Sequence, residues 1–361
     1  MPYCEKSIII KSDLSKITLL ILSRNRQHCL KETLQFYVST NLNILVLDNS
    51  PEPLDPHFIP ANCRYINIKL DFAQRCAKAV ELIDTPYTII GADDELYIPE
   101  SLNVMQDFLD LNPNYVAVGG YAIAVWRYGP SIAANWAYRR TYKYHNEGET
   151  PYERIRLHTG GGANPLTSFF TCNLTRTPIA KSCLEVYSKA PVLATDAISV
   201  FTICGAGKSK YLDLVYWVRN WNQSPKSHTG WNRNTFLHEW WSDSSKSLEQ
   251  LKFREILDSA YMGFSNDGKF NDAWQLILDS DKAMRTRVRE LNARLVTFGE
   301  NPNLKWFKYI LKKTFNSKSL PATHDTVLED FRKLNIDFAP LNTALACHLV
   351  SKLLPYKSWH K

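Results

Sequence analysis

Apolar positions along this chain follow two alternating rhythms. Ile17 to Leu22, Ile44 to Leu47, Tyr65 to Ile68 and Tyr87 to Ile90 are short aliphatic or aromatic runs, too brief for helices, and read as buried strands. Between them lie stretches with helical spacing, at Leu30, Leu34 and Tyr37 and again over Ala73 to Ile83. Strands that alternate with helices of about ten residues predict a mostly parallel sheet with right-handed crossovers. Helices follow over Ser101 to Leu111, Ile179 to Tyr187 and Ala194 to Phe201, with strands at Tyr115 to Ala122, Phe169 to Leu174 and Tyr211 to Val218. From Thr235 onward the pattern is helical: Phe236 to Trp241, Leu248 to Phe264, Phe270 to Leu278 and Asp281 to Val296. The fold class expected is therefore α/β over residues 1–231, followed by a helical region over 232–361.

Polar residues collect where the strands end. Ser23-Arg24-Asn25-Arg26 follows the first, Asp48-Asn49-Ser50 the second, and Asp93-Asp94-Glu95 the run at Tyr87 to Ile90. Acids at the carboxyl end of a buried strand must pair, neutralise or bind metal, because a desolvated carboxylate is costly. A divalent metal carrying a phosphorylated ligand is the economical explanation, and open α/β sheets bind ligands at this edge. Turns and N-caps are the plainer explanation, and Pro99 suits a strand-to-helix connection.

Four pieces in register resemble a known family. Thr18-Leu-Leu-Ile-Leu-Ser-Arg-Asn-Arg26, Ile44-Leu-Val-Leu-Asp48-Asn-Ser50, Arg75 in a helix, and Gly91-Ala-Asp93-Asp94-Glu95-Leu-Tyr-Ile-Pro99 resemble the nucleotide-sugar half of a GT-A glycosyltransferase, close to family 2. The resemblance covers about the first 120 residues, and Thr171 to Arg219 more loosely. It implies a GT-A type doubly wound sheet with helices on both faces, a donor half over about 1–120 and an acceptor half over about 121–231. By position, Asp48 would meet the nucleobase and Asp93 the ribose or base. Asp94 would be the metal-binding acid, with Glu95 beside it and Mn²⁺ or Mg²⁺ as the ion. Measured back from Pro99, Ala92 stands where many relatives have their first Asp, so the motif is Asp-Asp-Glu. Thr195-Asp196 stands where inverting relatives carry the general base, although an Asp in a helix's first turn also suits the helix dipole. Arg219 and His228 follow the last strand, where relatives contact the diphosphate. Arg24, Arg26 and Arg75 add guanidinium forks that match phosphate oxygens.

Composition refines this picture. With 10 Trp, 18 Tyr and 16 Phe the chain has ring faces to spare, which suit a core and also sugars and nucleobases. Eight scattered cysteines with no CxxC pair argue against a zinc site or a disulfide framework, and His158 to Pro165 is no Walker loop because no Gly-Lys-Ser/Thr follows its glycines. Trp126 to Gly162, rich in Tyr, Trp, Arg and His and ending in that glycine run, reads as a mobile acceptor-side loop, with a plain surface excursion as the alternative. From Asn301 onward ten Lys and Arg stand against four acids, and Leu304 to Phe315 reads as a basic amphipathic helix. Such a tail suits a peripheral contact with an anionic membrane face or packing on a partner. With no apolar run near the length of a membrane span and no signal segment, a cytoplasmic location is expected.

The function expected is metal-dependent, inverting transfer of a sugar from a nucleoside diphosphate, UDP first, to a saccharide or lipid-linked saccharide in cell-surface glycan synthesis, without nucleic acid. An inactive glycan-binding scaffold on the same fold is the alternative. A nucleotidyltransferase fits less well, since Ser23 to Arg26 lacks the glycines of its phosphate loop.

Overall fold

β1 (Ile17–Ser23) carries an unbroken apolar run from Leu19 to Leu22 and occupies the middle of the sheet. The structure is a computed structural model and describes residues 13–128, 131–136, 146–164, 171–220, 236–265 and 267–296. β1 pairs in parallel with β2 (Asn43–Asp48) on one side and with β4 (Tyr87–Gly91) on the other, and β3 (Cys63–Asn67) extends the sheet beyond β2. Past β4 the sheet becomes mixed. β8 (Leu174–Arg176) is antiparallel to both β4 and β6 (Tyr115–Tyr128), and β9 (Lys208–Asn220) runs parallel to β6. β5 (Glu95–Tyr97) closes the far edge antiparallel to β9, and β7 (Ser131–Trp136) pairs with β6. Among the described residues the order is β3-β2-β1-β4-β8-β6-β9-β5, with β7 off that path.

Because side chains alternate across a strand, each strand feeds two cores. Leu19, Ile21, Ile44 and Val46 pack with Leu30 and Leu34 of α1 (Gln27–Phe36) and with Leu102, Met105 and Leu109 of α3 (Pro99–Leu111). Leu20, Leu45 and Leu47 face the opposite layer, built from α2 (Phe72–Leu82), α5 (Thr177–Tyr187) and α6 (Thr195–Ala206). The expected architecture, a doubly wound α/β sheet with helices on both faces and helices after it, is the one observed.

The later helices pack onto this second layer. α4 (Pro151–Thr159), α7 (Leu237–Trp241), α8 (Ser247–Met262) and α9 (Phe270–Val296) gather around α6. Phe201 of α6 meets Tyr261 of α8 and the rings of Phe270 and Trp274 of α9. Two helices were expected over 270–296, and a single one forms. Its central polar residues serve as contacts: Ser280 donates to the Asn164 carbonyl, and Asp281 accepts from the His238 backbone and ring. The glycine run caps α4, with Gly160, Gly161 and Gly162 all at positive φ and their amides bonded back to Leu157, Arg156 and Thr159.

All six cysteines among the described residues are free thiols, and no helix there is long and apolar enough to cross a membrane. The basic segment from Asn301, the Leu304 to Phe315 pattern within it and His228 lie outside the described residues.

Candidate active site

The chain runs from β1 outward to β2 and β3, then returns to the other flank of β1 as β4. The two connections diverge there and leave a crevice at the strands' carboxyl ends, the usual ligand position in open α/β sheets. A cleft of about 360 Å³ lies at this point. Leu22 of β1 and Arg24 and Arg26 just after it line the cleft, with Gly91 to Asp93 and Glu95 at the end of β4 and the start of β5, and Asp196 and Arg219 from α6 and β9. Its size falls within the range of roughly 300–1,000 Å³ of small-molecule sites.

The acids are not in solvent. Asp93, Asp94 and Glu95 are 3%, 6% and 4% exposed. Ser23 Oγ, at the end of β1, donates to Asp93 Oδ2 at 2.7 Å, and Thr33 Oγ1 donates to the Asp93 carbonyl. The Arg26 fork bridges two carboxylates, with Nη1 at 2.8 Å from Asp93 Oδ1 and Nη2 at 2.6 Å from Asp94 Oδ2. Glu95 heads β5 directly opposite Arg219 of β9, whose Nε lies 3.5 Å from Oε1. Its other oxygen accepts from the Tyr97 hydroxyl and the Cys172 thiol. Burial pushes Asp93 up to about 6 against the pull of Arg26, with Asp94 adding to the rise. Burial likewise raises Glu95 to about 7 against Arg219, again with Asp94 adding.

Asp196 sits across the cleft in the first turn of α6. A cap is not its role: the N-cap position is Ala194, and the Asp196 carboxylate makes no hydrogen bond among the described residues. Burial raises it to about 6, Arg219 opposes that rise, and Asp281 of α9 adds to it. A half-buried carboxylate poised near neutrality and left without a structural partner is suited to take a proton.

The remaining candidates are placed differently. Arg24 is exposed on the cleft rim. Arg75 is 4% exposed and acts as a clamp, its Nη1 donating to the carbonyls of Ser23 at 2.6 Å and Leu47 at 3.1 Å, so it ties the ends of β1 and β2 together. Asp48 is fully buried behind the cleft wall. Its Oδ1 accepts from the backbone and hydroxyl of Ser50 and its Oδ2 from the Tyr65 hydroxyl. Ser50 Oγ in turn accepts from the Asn25 amide at 2.8 Å. Asn25 has φ 56°, a left-handed conformation that costs a non-glycine residue about 1 kcal/mol, so Asp48 and Ser50 hold the strained residue that aims Arg26. Sequence reasoning counted Arg26 among phosphate candidates and missed its bridge between the acids. The roles of Ser23, Tyr65 and Cys172 were missed as well, because each depends on contacts remote in sequence.

The metal expected on Asp94 and Glu95 can be tested against this geometry. Among the described residues no group of three or more His, Cys, Asp and Glu side chains is arranged to hold an ion. The atoms present are hard carboxylate oxygens, and the Arg26 guanidinium stands in for a cation where Asp93 and Asp94 converge. Ions such as Mg²⁺ commonly take one or two carboxylates and complete their shell with substrate phosphates, so the residues fit an ion that arrives with a phosphorylated ligand.

No protein-family model matches the chain, and no curated protein matches it. Among solved structures it is similar to S. aureus TarS. The residue 1–349 form in complex with UDP-GlcNAc aligns at TM-score 0.44 and 14% identity, covering 70% of this chain and 74% of that one. A second structure of TarS residues 1–349 aligns at TM-score 0.43 and 10% identity, covering 76% of this chain and 91% of that one. A further TarS structure aligns at 0.41 and 13% identity, covering 72% and 47%.

Proposed function

We propose that this chain is a glycosyltransferase that takes a nucleoside-diphosphate sugar, UDP-linked in the first instance, into the cleft between β1 and β4 and transfers the sugar with inversion. The observation that carries the proposal is the meeting, in one cleft at the topological switch point, of the Asp196 carboxylate, poised near neutrality, with buried acids bridged by Arg26 and paired with Arg219. The acceptor is a saccharide, free or lipid-linked, of a cell-surface glycan. Phe72, partly exposed in the cleft wall, offers a ring face that suits a sugar or a base.

In this mechanism Asp196 accepts the proton of the acceptor hydroxyl while the hydroxyl's oxygen bonds to the anomeric carbon. The bond from that carbon to the diphosphate oxygen breaks, and the electron pair leaves with the nucleoside diphosphate. Arg24, Arg26 and Arg219 bind the diphosphate by charge-assisted forks and hold the donor in line with the attacking oxygen. Asp94 and Glu95 would hold Mn²⁺ or Mg²⁺, which offsets charge developing on the leaving group. Asp93 lies toward the ribose or base, and Asp48 supports that wall from behind.

The test is release of nucleoside diphosphate from UDP-sugars with Mn²⁺, with and without saccharide acceptors. Asp94→Ala should abolish donor turnover in a protein that remains folded. Ordinary turnover in that variant would end the metal assignment. No turnover of any nucleotide sugar by the native chain would favour the scaffold reading.

A further inference from the structure

The side of the cleft formed around α6 has a hydrogen-bond polarity of its own. Thr171, Thr195 and Asp196 line it. Ser199, three residues beyond Asp196 and on the same face of α6, is 1% exposed and meets three oxygens at once. Its Oγ lies 3.0 Å from the Thr195 carbonyl and 2.8 Å from Thr171 Oγ1, and it also bonds the hydroxyl of Tyr187 at the end of α5.

Proton counting fixes the direction of each bond. A serine hydroxyl has one proton to give and two lone pairs to offer. The Thr195 carbonyl can only accept, so the Ser199 proton goes there. Thr171 and Tyr187 must then both donate to Ser199 for all three contacts to be hydrogen bonds. Tyr187 is 2% exposed and stays behind the wall, whereas Thr171 is partly exposed. Thr195 Oγ1 spends its own proton on the Val192 carbonyl at 3.1 Å. The two threonines and an ionised Asp196 therefore offer the cleft lone pairs and no proton. Arg24, Arg26 and Arg219, which line the same cleft, are donors only.

These two senses sort a ligand. Phosphate oxygens, which only accept, belong with the arginines, and groups that give protons belong beside α6. Three residues at 1.5 Å rise set Ser199, and with it Thr171, about 4.5 Å along the helix from Asp196, a separation that adjacent hydroxyls of one sugar ring can bridge through their hydrogen bonds.

We infer that Thr171 is a specificity residue for the saccharide acceptor: its Oγ1 accepts a hydrogen bond from the hydroxyl next to the one that gives its proton to Asp196. The wall then takes a neutral sugar with two adjacent hydroxyls and turns away phosphorylated or carboxylated positions there. This rests on the proposed acceptor and adds the residue and the hydrogen-bond sense that select it.

The test is binding of the methyl glycosides of glucose, galactose, mannose and N-acetylglucosamine to the full chain at pH 8, without nucleotide or metal, with dissociation constants from saturation-transfer NMR. On the glycoside that binds best, each ring hydroxyl is replaced in turn by hydrogen and by fluorine, which accepts but cannot donate. At two adjacent positions both replacements should weaken binding, by about fivefold at the one that meets Thr171, the worth of a single neutral hydrogen bond. Thr171→Val should erase the discrimination at that position alone, and Thr171→Ser, which keeps the oxygen, should restore it. Thr171→Ala serves if the valine variant does not fold. A fluorine analogue bound as well as the parent at every position, discrimination unchanged in Thr171→Val, or no glycoside bound by the native chain overturns the inference. Release of nucleoside diphosphate, measured separately, decides the transferase reading. Turnover by a native chain whose Thr171→Val variant still discriminates would end the role of Thr171 and leave that reading in place.

Discussion

Asp196→Asn keeps the shape of the side chain and removes its charge, so it separates catalytic from structural roles. In the folded protein this carboxyl titrates at about 6 instead of 3.8, chiefly through burial, with Arg219 only partly opposing. A folded-state pKa that is raised means that ionisation works against folding. Below pH 3.8 the native chain and the variant are equivalent in this respect, and the native chain then loses ground as pH rises through about 6. At 1.36 kcal/mol for each pH step between the two values, the full loss is about 3 kcal/mol, and partial solvent access to Asp196 lowers the expectation to about 2 kcal/mol. Urea midpoints should therefore coincide near pH 4 and favour Asp196→Asn at pH 8. In the same preparation turnover should drop by about 10² to 10⁴, the usual contribution of a general base, with nucleotide affinity retained. A variant less stable than the native chain at pH 8 would refute the reasoning, because the carboxylate would then be holding its neighbours in place.

Further expectations follow from the same geometry. On the proposed function, kcat/KM of the native chain should rise with pH through about 6 as Asp196 loses its proton, and Asp196→Asn should flatten that limb. Gly91→Ala would place a Cβ 2.8 Å from Leu19 Cδ1 and 3.0 Å from the Tyr97 ring, so overpacking should cost about 1–3 kcal/mol in the urea midpoint. Arg75→Met leaves the Ser23 and Leu47 carbonyls without their buried donor. A loss of about 1–3 kcal/mol is expected, together with weaker nucleotide binding measured by calorimetry, because the ends of β1 and β2 are no longer tied.

Much of this was legible along the chain because β1, β2 and β4 are apolar runs with polar ends, a local signal that survives without tertiary context. The same locality put Asp93, Asp94 and Glu95 at the right edge of the sheet, whereas Asp196, in the first turn of a helix, was placed by the resemblance alone. β5 was not legible: Glu95-Leu96-Tyr97 is three residues long, begins with an acid and is a strand only because β9 lies opposite. The division expected near residue 279 in α9 failed because Ser280 and Asp281 find partners on other elements. α4 could have been found, since Thr150-Pro151-Tyr152-Glu153 carries a capping box with Pro at N1, and Thr150 and Glu153 do bond reciprocally. The Arg26 bridge and the absent cap at Asp196 could not, because each depends on which side chain the fold brings near.

The most direct test of the account is hydrogen–deuterium exchange of the native chain with and without saturating UDP and Mn²⁺. Exchange should slow at Ser23 to Arg26, at Ile90 to Glu95 and at the start of α6, the three segments that converge on the cleft. Unchanged exchange at all three, or slowing confined to segments away from the β1 and β4 ends, would contradict it.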